Sequence, residues 1–403
     1  MMKMSLWGVV FGVLAVQAVA GEKTLPGGEW LTPKVKLGRQ LFFDTNLSSP
    51  AGQSCASCHE PRRAFTDPDK RIPTSEGVIS GRLGSRNTPT AMYAAFSPEF
   101  HYDEKEGLFV GGQFWDGRAA SLEEQAKQPF LNPLEMANPS RSAVVKKVRR
   151  TPYARLFEEV YGQGALDETH RAYDLIADSI AAFERSPAFN RFSSKYDAYL
   201  AGEARLSAKE LRGLRVYEDP AKGNCAACHP NRPSEDGSPP SFTDFTYDNL
   251  GVPRNPDNPF YALRPEFNPT GWAFVDRGLG ASVGSAAEDG KFKVPTLRNI
   301  AVTGPYMHNG YFRNLHAVVE FYNNRDVKPA CRDAMTRERN VLRQGCWPVS
   351  EVAENVNHDE LGNLGLTDRE MDDLVAFLNT LTDGYRPAHR RASDQREMST
   401  PAR

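Results

Sequence analysis

The chain has 403 residues, and its 49 Lys and Arg against 51 Asp and Glu leave a net charge of −2, so no basic surface is available to hold a nucleic acid. A 40% hydrophobic content at this length predicts two modest cores rather than one. Beyond the first twenty residues, no stretch is apolar enough to span a bilayer.

In chain order, residues 1–20 carry Lys3, an apolar run at 6–16 and then Ala18-Val19-Ala20, the pattern of a secretory signal peptide cleaved before Gly21. The run is shorter than the about 20 residues a membrane anchor needs. The mature protein is therefore expected in the periplasm, without a membrane span. A short helical pattern at 35–43 and a Ser/Pro/Gly turn at 48–52 lead into Cys55-Ala56-Ser57-Cys58-His59. Residues 60–110 read as irregular. Helices are predicted over 122–129, 142–160 and 172–183, the last two from apolar residues at helical spacing. Ser207 and Glu210 form the capping box of a further helix, which delivers Cys225-Ala226-Ala227-Cys228-His229. Residues 230–290 promise little regular structure. The last predicted helix has Thr367 as N-cap, Glu370 at the box position, and Leu374, Phe377, Leu378 and Leu381 as its buried stripe. The tail at 387–403 has no apolar face and is expected to be disordered.

Both cysteine motifs read C-x-x-C-H, the attachment site of a c-type haem, with the His placed to bind the iron. A four-cysteine zinc site would not need a His after each pair. A thioredoxin-like pair would want a βαβ setting that neither copy has. Two covalently bound haems are therefore expected, on Cys55 and Cys58 with His59, and on Cys225 and Cys228 with His229. Cys331 and Cys346 are left over, and in an oxidising compartment they are expected to form a disulfide.

The halves also echo each other beyond these motifs. Ala64-Phe65-Thr66-Asp67 is matched by Ser241-Phe242-Thr243-Asp244, and Trp115-Asp116-Gly117-Arg118 by His308-Asn309-Gly310-Tyr311. The fold class read from this is mostly α: two cytochrome c-like haem domains related by an internal repeat, with long irregular loops. The domains are expected at 21–187 and 188–386, with the boundary near 188–206.

Continuing in register, Pro129 of the first half falls on Tyr322 of the second. Tyr322 can offer a phenolate to the second iron as sixth ligand, with Met307, His308 and His316 as competitors. Pro129 has no donor atom, which leaves the first haem open to peroxide. Glu135 is a candidate proton shuttle for peroxide cleavage and Gln125 a candidate for orienting the peroxide. Their ordinary roles would be a helix-end charge and a solvated side chain. Trp115 is a candidate electron relay between the haems, where packing is the ordinary role of a lone tryptophan.

These residues resemble the bacterial di-haem cytochrome c peroxidase superfamily, and within it the MauG-type branch. The resemblance covers nearly the whole mature chain. It is carried by 86–90 (RNTPT), 111–119 (GGQFWDGRA), 292–299 (FKVPTLRN) and 302–310 (VTGPYMHNG). It implies that His59 serves the peroxide-reactive haem and His229 the low-spin haem, with Tyr322 as its ligand. Trp115 is then the inter-haem tryptophan, and Gln125, Pro129 and Glu135 the distal pocket. It also implies a calcium ion bound by the Asn87 side chain and the Thr303 and Pro305 carbonyls, which no acidic cluster would reveal. Tyrosine at 322 in place of methionine, and no His between His59 and His101, both point to the MauG branch. That branch uses hydrogen peroxide to form a high-valent di-haem state and oxidises Trp or Tyr side chains of a protein partner. MauG carries a surface tryptophan just before its second motif, where this chain has Gly223-Asn224, so the exit route is open. Trp272 and Trp347 are substitutes, with packing as their ordinary role. The alternatives are a detoxifying peroxidase fed by a small cytochrome c or cupredoxin, and a di-haem electron carrier.

Overall fold

Thr32 opens the first helix, its hydroxyl accepting from the Val35 N–H at 3.3 Å while Pro33 occupies a position where no N–H is needed. The structure, a computed structural model, describes residues 31–234 and 237–386. The expected signal peptide at 1–20 and tail at 387–403 lie outside the described residues.

The first half runs α1 (Pro33–Phe43), α2 (Cys55–Cys58), a hairpin of β1 (His101–Asp103) and β2 (Leu108–Val110), then α3 (Leu122–Leu131), α4 (Arg141–Val148), α5 (Ala154–Tyr161) and α6 (Thr169–Glu184). The second half runs α7 (Lys195–Leu200), α8 (Ala208–Glu218), β3 (Tyr247–Asp248), α9 (Leu279–Val283), β4 (Phe292–Lys293), α10 (Leu315–Asn324), α11 (Glu338–Gln344) and α12 (Asp368–Asn379). The hairpin pairs His101 with Val110, and β3 pairs antiparallel with β4 through Tyr247 and Lys293. The fold is mostly helical, as expected. Among the described residues no helix is long and apolar enough to cross a membrane.

The capping boxes at Ser207 with Glu210 and at Thr367 with Glu370 are both formed. The single helix expected over 142–160 is two helices, and Pro152 explains the break. Its ring removes the N–H that would bond the Val148 carbonyl, which instead accepts from the Thr151 N–H and hydroxyl.

Two helix crossings organise the halves. In α1, Gly38 lies so close to α6 that a Cβ there would sit 1.8 Å from the Ser179 carbonyl oxygen. In α8, a Cβ on Gly213 would sit 1.9 Å from the Asp373 carbonyl oxygen of α12. Only glycine permits either approach. Around the first crossing gather Leu37, Leu41, Phe42, Ile176, Ile180 and Phe189. Around the second gather Tyr217, Phe242, Leu374, Phe377 and Leu381. A third cluster of Phe312, Phe321, Val341 and Trp347 is closed by the Cys331–Cys346 disulfide, so the expectation of two cores is exceeded by one.

One buried ion pair, Arg86 with Asp276, ties the halves together, and Arg298 adds a ring contact to Tyr93 across them. Arg86 makes a two-pronged contact with Asp276 at 2.7 Å and reaches Asp116 at 2.6 Å. Arg298, fully buried, grips Asp197 and lies against the Tyr93, Phe192 and Phe242 rings.

Candidate functional site

The second C-x-x-C-H begins where Asn224 adopts a left-handed φ of 48°, turning the chain into a single tight turn over Cys225–Ala227. The His229 N–H then bonds the Cys225 carbonyl at 2.9 Å. Cys225 and Cys228 are unbridged, and both face a cavity of about 270 Å³ rather than packed protein. Burial pushes both thiols up to about 12. Among the described residues no group of three His, Cys, Asp or Glu is placed to hold a metal.

His229 Nδ1 lies 2.8 Å from the Phe242 carbonyl oxygen, and His59 Nδ1 lies 2.9 Å from that of Phe65. The carbonyl accepts, so Nδ1 carries the proton and Nε2 keeps its lone pair for a ligand role. Burial lowers both imidazoles, His229 to about 4, which keeps them neutral. Phe65 and Phe242 adopt the same left-handed backbone, φ 53° and 55°, which turns their carbonyls toward the rings. The A/S-F-T-D echo marked these residues, but their part in orienting the histidines was missed. Its signal in sequence was weak, because the spacing to the His differs between copies.

Tyr322, from α10, lines the same cavity as Cys225, Cys228 and His229. Burial, with the two thiols nearby, raises its phenol. Met307 and His308 also line this cavity. The His308 ring stacks on Phe292 at 3.6 Å, its Nε2 buried without a partner, while His316 pairs with Asp372 at 3.5 Å. Trp115 lines the cavity too; its Nε1 donates to the Asn87 carbonyl at 2.8 Å and its own carbonyl accepts from the Lys293 N–H. Asn87, Thr303 and Pro305 also line this cavity. The Asn87 amide nitrogen is engaged by the Pro73 carbonyl at 3.0 Å, which leaves its side-chain oxygen for a cation.

On the first side, Cys55 and Cys58 occupy α2, capped by Ser54 and Ser57. Burial raises both thiols, and Glu135 lies near enough to each to add to the effect. Glu135 is itself raised by burial, against Arg118, and its carboxylate accepts from the Asn132 amide at 2.7 Å. It lies in the turn that follows α3, the helix that contains Pro129. That residue lies inside the helix, where its missing N–H leaves the Gln125 carbonyl without its helical donor. The Pro129 carbonyl accepts from the Met136 N–H at 3.2 Å, folding the chain back so that Glu135 faces the motif. Glu184, at the end of α6, was not singled out in the sequence. It is buried beside Cys55, its Oε2 lacks a partner, and burial raises it to about 8. No periodicity distinguishes it from a helix-end charge.

Two carbonyl-held histidines, each following a pair of free cysteines on a helical scaffold, are the residues that a pair of c-type haems would use. Residues 32–205 match the family model described as di-haem cytochrome c peroxidase. The chain is 42% identical over 379 residues to the methylamine utilization protein MauG of Paracoccus denitrificans (strain Pd 1222), covering 92% of this chain and 93% of that one. It is 30% identical over 367 residues to the cytochrome-c peroxidase IdrP1 of Denitromonas iodatirespirans, covering 87% and 81%. The solved structure of the diheme peroxidase BthA from Burkholderia thailandensis E264 superposes with a TM-score of 0.71 at 34% identity, over 87% of this chain and 86% of that one. The chain belongs to the di-haem cytochrome c peroxidase family, which includes the MauG proteins and whose members are haem oxidoreductases.

Proposed function

We propose that this protein is an exported oxidoreductase that uses hydrogen peroxide to oxidise a Trp or Tyr side chain of a protein partner in the periplasm. The observation that carries this reading is Tyr322, a phenol rather than a thioether in the cavity shared with His229. The domains are those read from the sequence, 21–187 and 188–386. Cys55 and Cys58, and Cys225 and Cys228, are free to form thioethers, and the lone pairs at His59 and His229 Nε2 are free to ligate iron. When bound, the haems supply the iron at which peroxide is cleaved and in which oxidising equivalents are held.

The chain's own residues do the rest. Glu135, raised by burial, takes a proton from peroxide at its carboxylate and returns it to the leaving oxygen. Gln125 orients the peroxide, and Pro129 keeps the distal face without a competing donor. Trp115 relays electrons between the two sites. Asn87, Thr303 and Pro305 supply three neutral oxygens to calcium, so water must complete the shell.

The test is low-temperature electron paramagnetic resonance of the ferric holoprotein, then of Tyr322→Phe. One high-spin and one low-spin signal, with the low-spin signal lost or shifted in the variant, supports the reading. An unchanged low-spin signal sinks the Tyr322 assignment. Gly223-Asn224 before the second motif favours a second reading, a detoxifying peroxidase drawing on a small cytochrome c or cupredoxin. Rapid turnover with reduced cytochrome c would select it.

A further inference from the structure

Chemistry on a protein partner requires a route from the haem cavity to the surface. Of the chain's five tryptophans, three are described. Trp347 is buried, packed between Phe321 and Phe312, and Trp115 lines the cavity. Trp272 alone among them is exposed, at 53%.

Trp272 stacks on Tyr261, with ring centroids 5.3 Å apart and 27° between the planes. Tyr261 is buried, and its hydroxyl donates to Glu351 Oε1 at 3.3 Å. Glu351 lines the same cavity as His229 and Tyr322, and its other oxygen is buried without a partner. Arg254 holds the three together. It donates to the Trp272 and Phe274 carbonyls, lies 5.1 Å from the Tyr261 ring centroid, and sets its Nε 3.4 Å from Glu351. A surface indole, a buried phenol and a carboxylate at the cavity wall therefore follow one another in contact.

We propose that Trp272, Tyr261 and Glu351 form a proton-coupled relay that carries oxidising equivalents from the haem cavity to the surface, with Trp272 as the contact for the protein partner. This rests on the function proposed above, which supplies the peroxide-oxidised di-haem centre as oxidant. In the first step Tyr261 gives one electron to that centre and its phenol proton to Glu351, leaving a neutral tyrosyl radical and a carboxylic acid. In the second, an electron from Trp272 and the proton held by Glu351 restore the phenol and the carboxylate, leaving a tryptophan radical cation. In the third, an aromatic side chain of the partner gives one electron to Trp272. One electron thus passes from partner to haem centre per cycle, and the proton returns to its starting atom.

The Arg254 guanidinium over the Tyr261 ring opposes a positive ring, so electron loss without proton loss is disfavoured there. Burial lifts the Glu351 carboxyl to about 7, which suits a group that must both take and return a proton near neutral pH.

The relay can be read without peroxide. In the full-length ferric holoprotein, photogenerated ruthenium(III) tris-bipyridine oxidises the exposed indole, and transient absorption follows the radical. The expected result is a tryptophan radical that equilibrates with a minor share of tyrosyl radical, the second step run in reverse. In Y261F no tyrosyl share should appear, and in E351Q the approach to equilibrium should slow by about a hundredfold. Unchanged kinetics in both variants would overturn the relay. W272F, at an exposed site that keeps its ring stacking, guards against misfolding in the buried variants. With peroxide and no partner, its oxidised state should outlive that of wild type by about tenfold, from loss of a relay that also drains stored equivalents. Equal lifetimes would overturn the relay while leaving the proposed function standing. If no peroxide-oxidised state forms in wild type, the proposed function fails and the relay loses its oxidant.

Discussion

The two halves solve the same packing problem alike and then furnish the result differently. In each, a glycine lets two helices meet backbone to backbone, Gly38 on Ser179 and Gly213 on Asp373. In each, a phenylalanine with left-handed backbone turns its carbonyl to a histidine Nδ1. Beyond that they diverge. The first half sets a buried acid, Glu135, beside its cysteines, whereas the second sets a phenol, Tyr322. An acid that trades protons suits a site where a small molecule reacts, and a phenol suits a site where a ligand is held. On the function proposed above, the scaffold fixes the histidine side of each site, and the residue facing it sets that half's role.

That contrast can be broken in several ways. Replacing Cys225 and Cys228 by Ser should leave one covalent haem instead of two, read from the intact mass, while the first site's spectrum survives. Loss of both haems would mean the halves do not bind independently. Glu135→Gln should slow the peroxide-driven spectral change by about 10²–10⁴-fold with the ferric spectrum unchanged. Because burial raises this carboxyl, its basic form is present only above the raised value. The wild-type rate should therefore fall as pH drops through that value, and the variant's should be flat. A variant as fast as wild type would remove Glu135 from the chemistry.

The shared crossings make a paired prediction. Gly38→Ala and Gly213→Ala should each lower unfolding free energy by about 2–3 kcal/mol in a denaturant titration, since each Cβ meets a backbone carbonyl that cannot give way. A large difference between the two would show that the crossings are alike only in outline. The smallest effect is expected at Glu184, raised from 4.5 to about 8. The folded state then binds its proton more tightly than the unfolded chain does. Its stability is full below about pH 4.5 and is lost as pH climbs toward about 8. Glu184→Gln should flatten that decline and stabilise the protein near pH 8 by about 1–2 kcal/mol, part of the gain being offset by an amide without a partner. An unchanged pH profile would show that Glu184 is hydrated in the folded protein.

Legibility in the sequence followed the range of the forces involved. The helices at 208–218 and 368–379 were readable because their capping boxes and apolar stripes are local. The break at Pro152 was readable too, but the apolar periodicity on both sides outweighed it in the prediction of one helix. The cysteine–histidine motifs were legible because the haem attachment proposed for them demands contiguous residues. The Tyr261–Glu351 contact spans 90 positions, and no spacing announces it. Glu184 became notable only through what surrounds it, namely burial without a partner for its Oε2.

Arg86 has one more consequence. It grips Asp116, next to Trp115, in the first half of the sequence and Asp276 in the second, all three largely buried. Parting any of them would strand a charge away from water, a penalty of several kcal/mol. The clamp therefore acts as a ruler. Electron tunnelling weakens steeply with each added ångström, so, for the exchange between halves proposed above, a fixed spacing would make its speed a constant of the fold, insensitive to what docks outside.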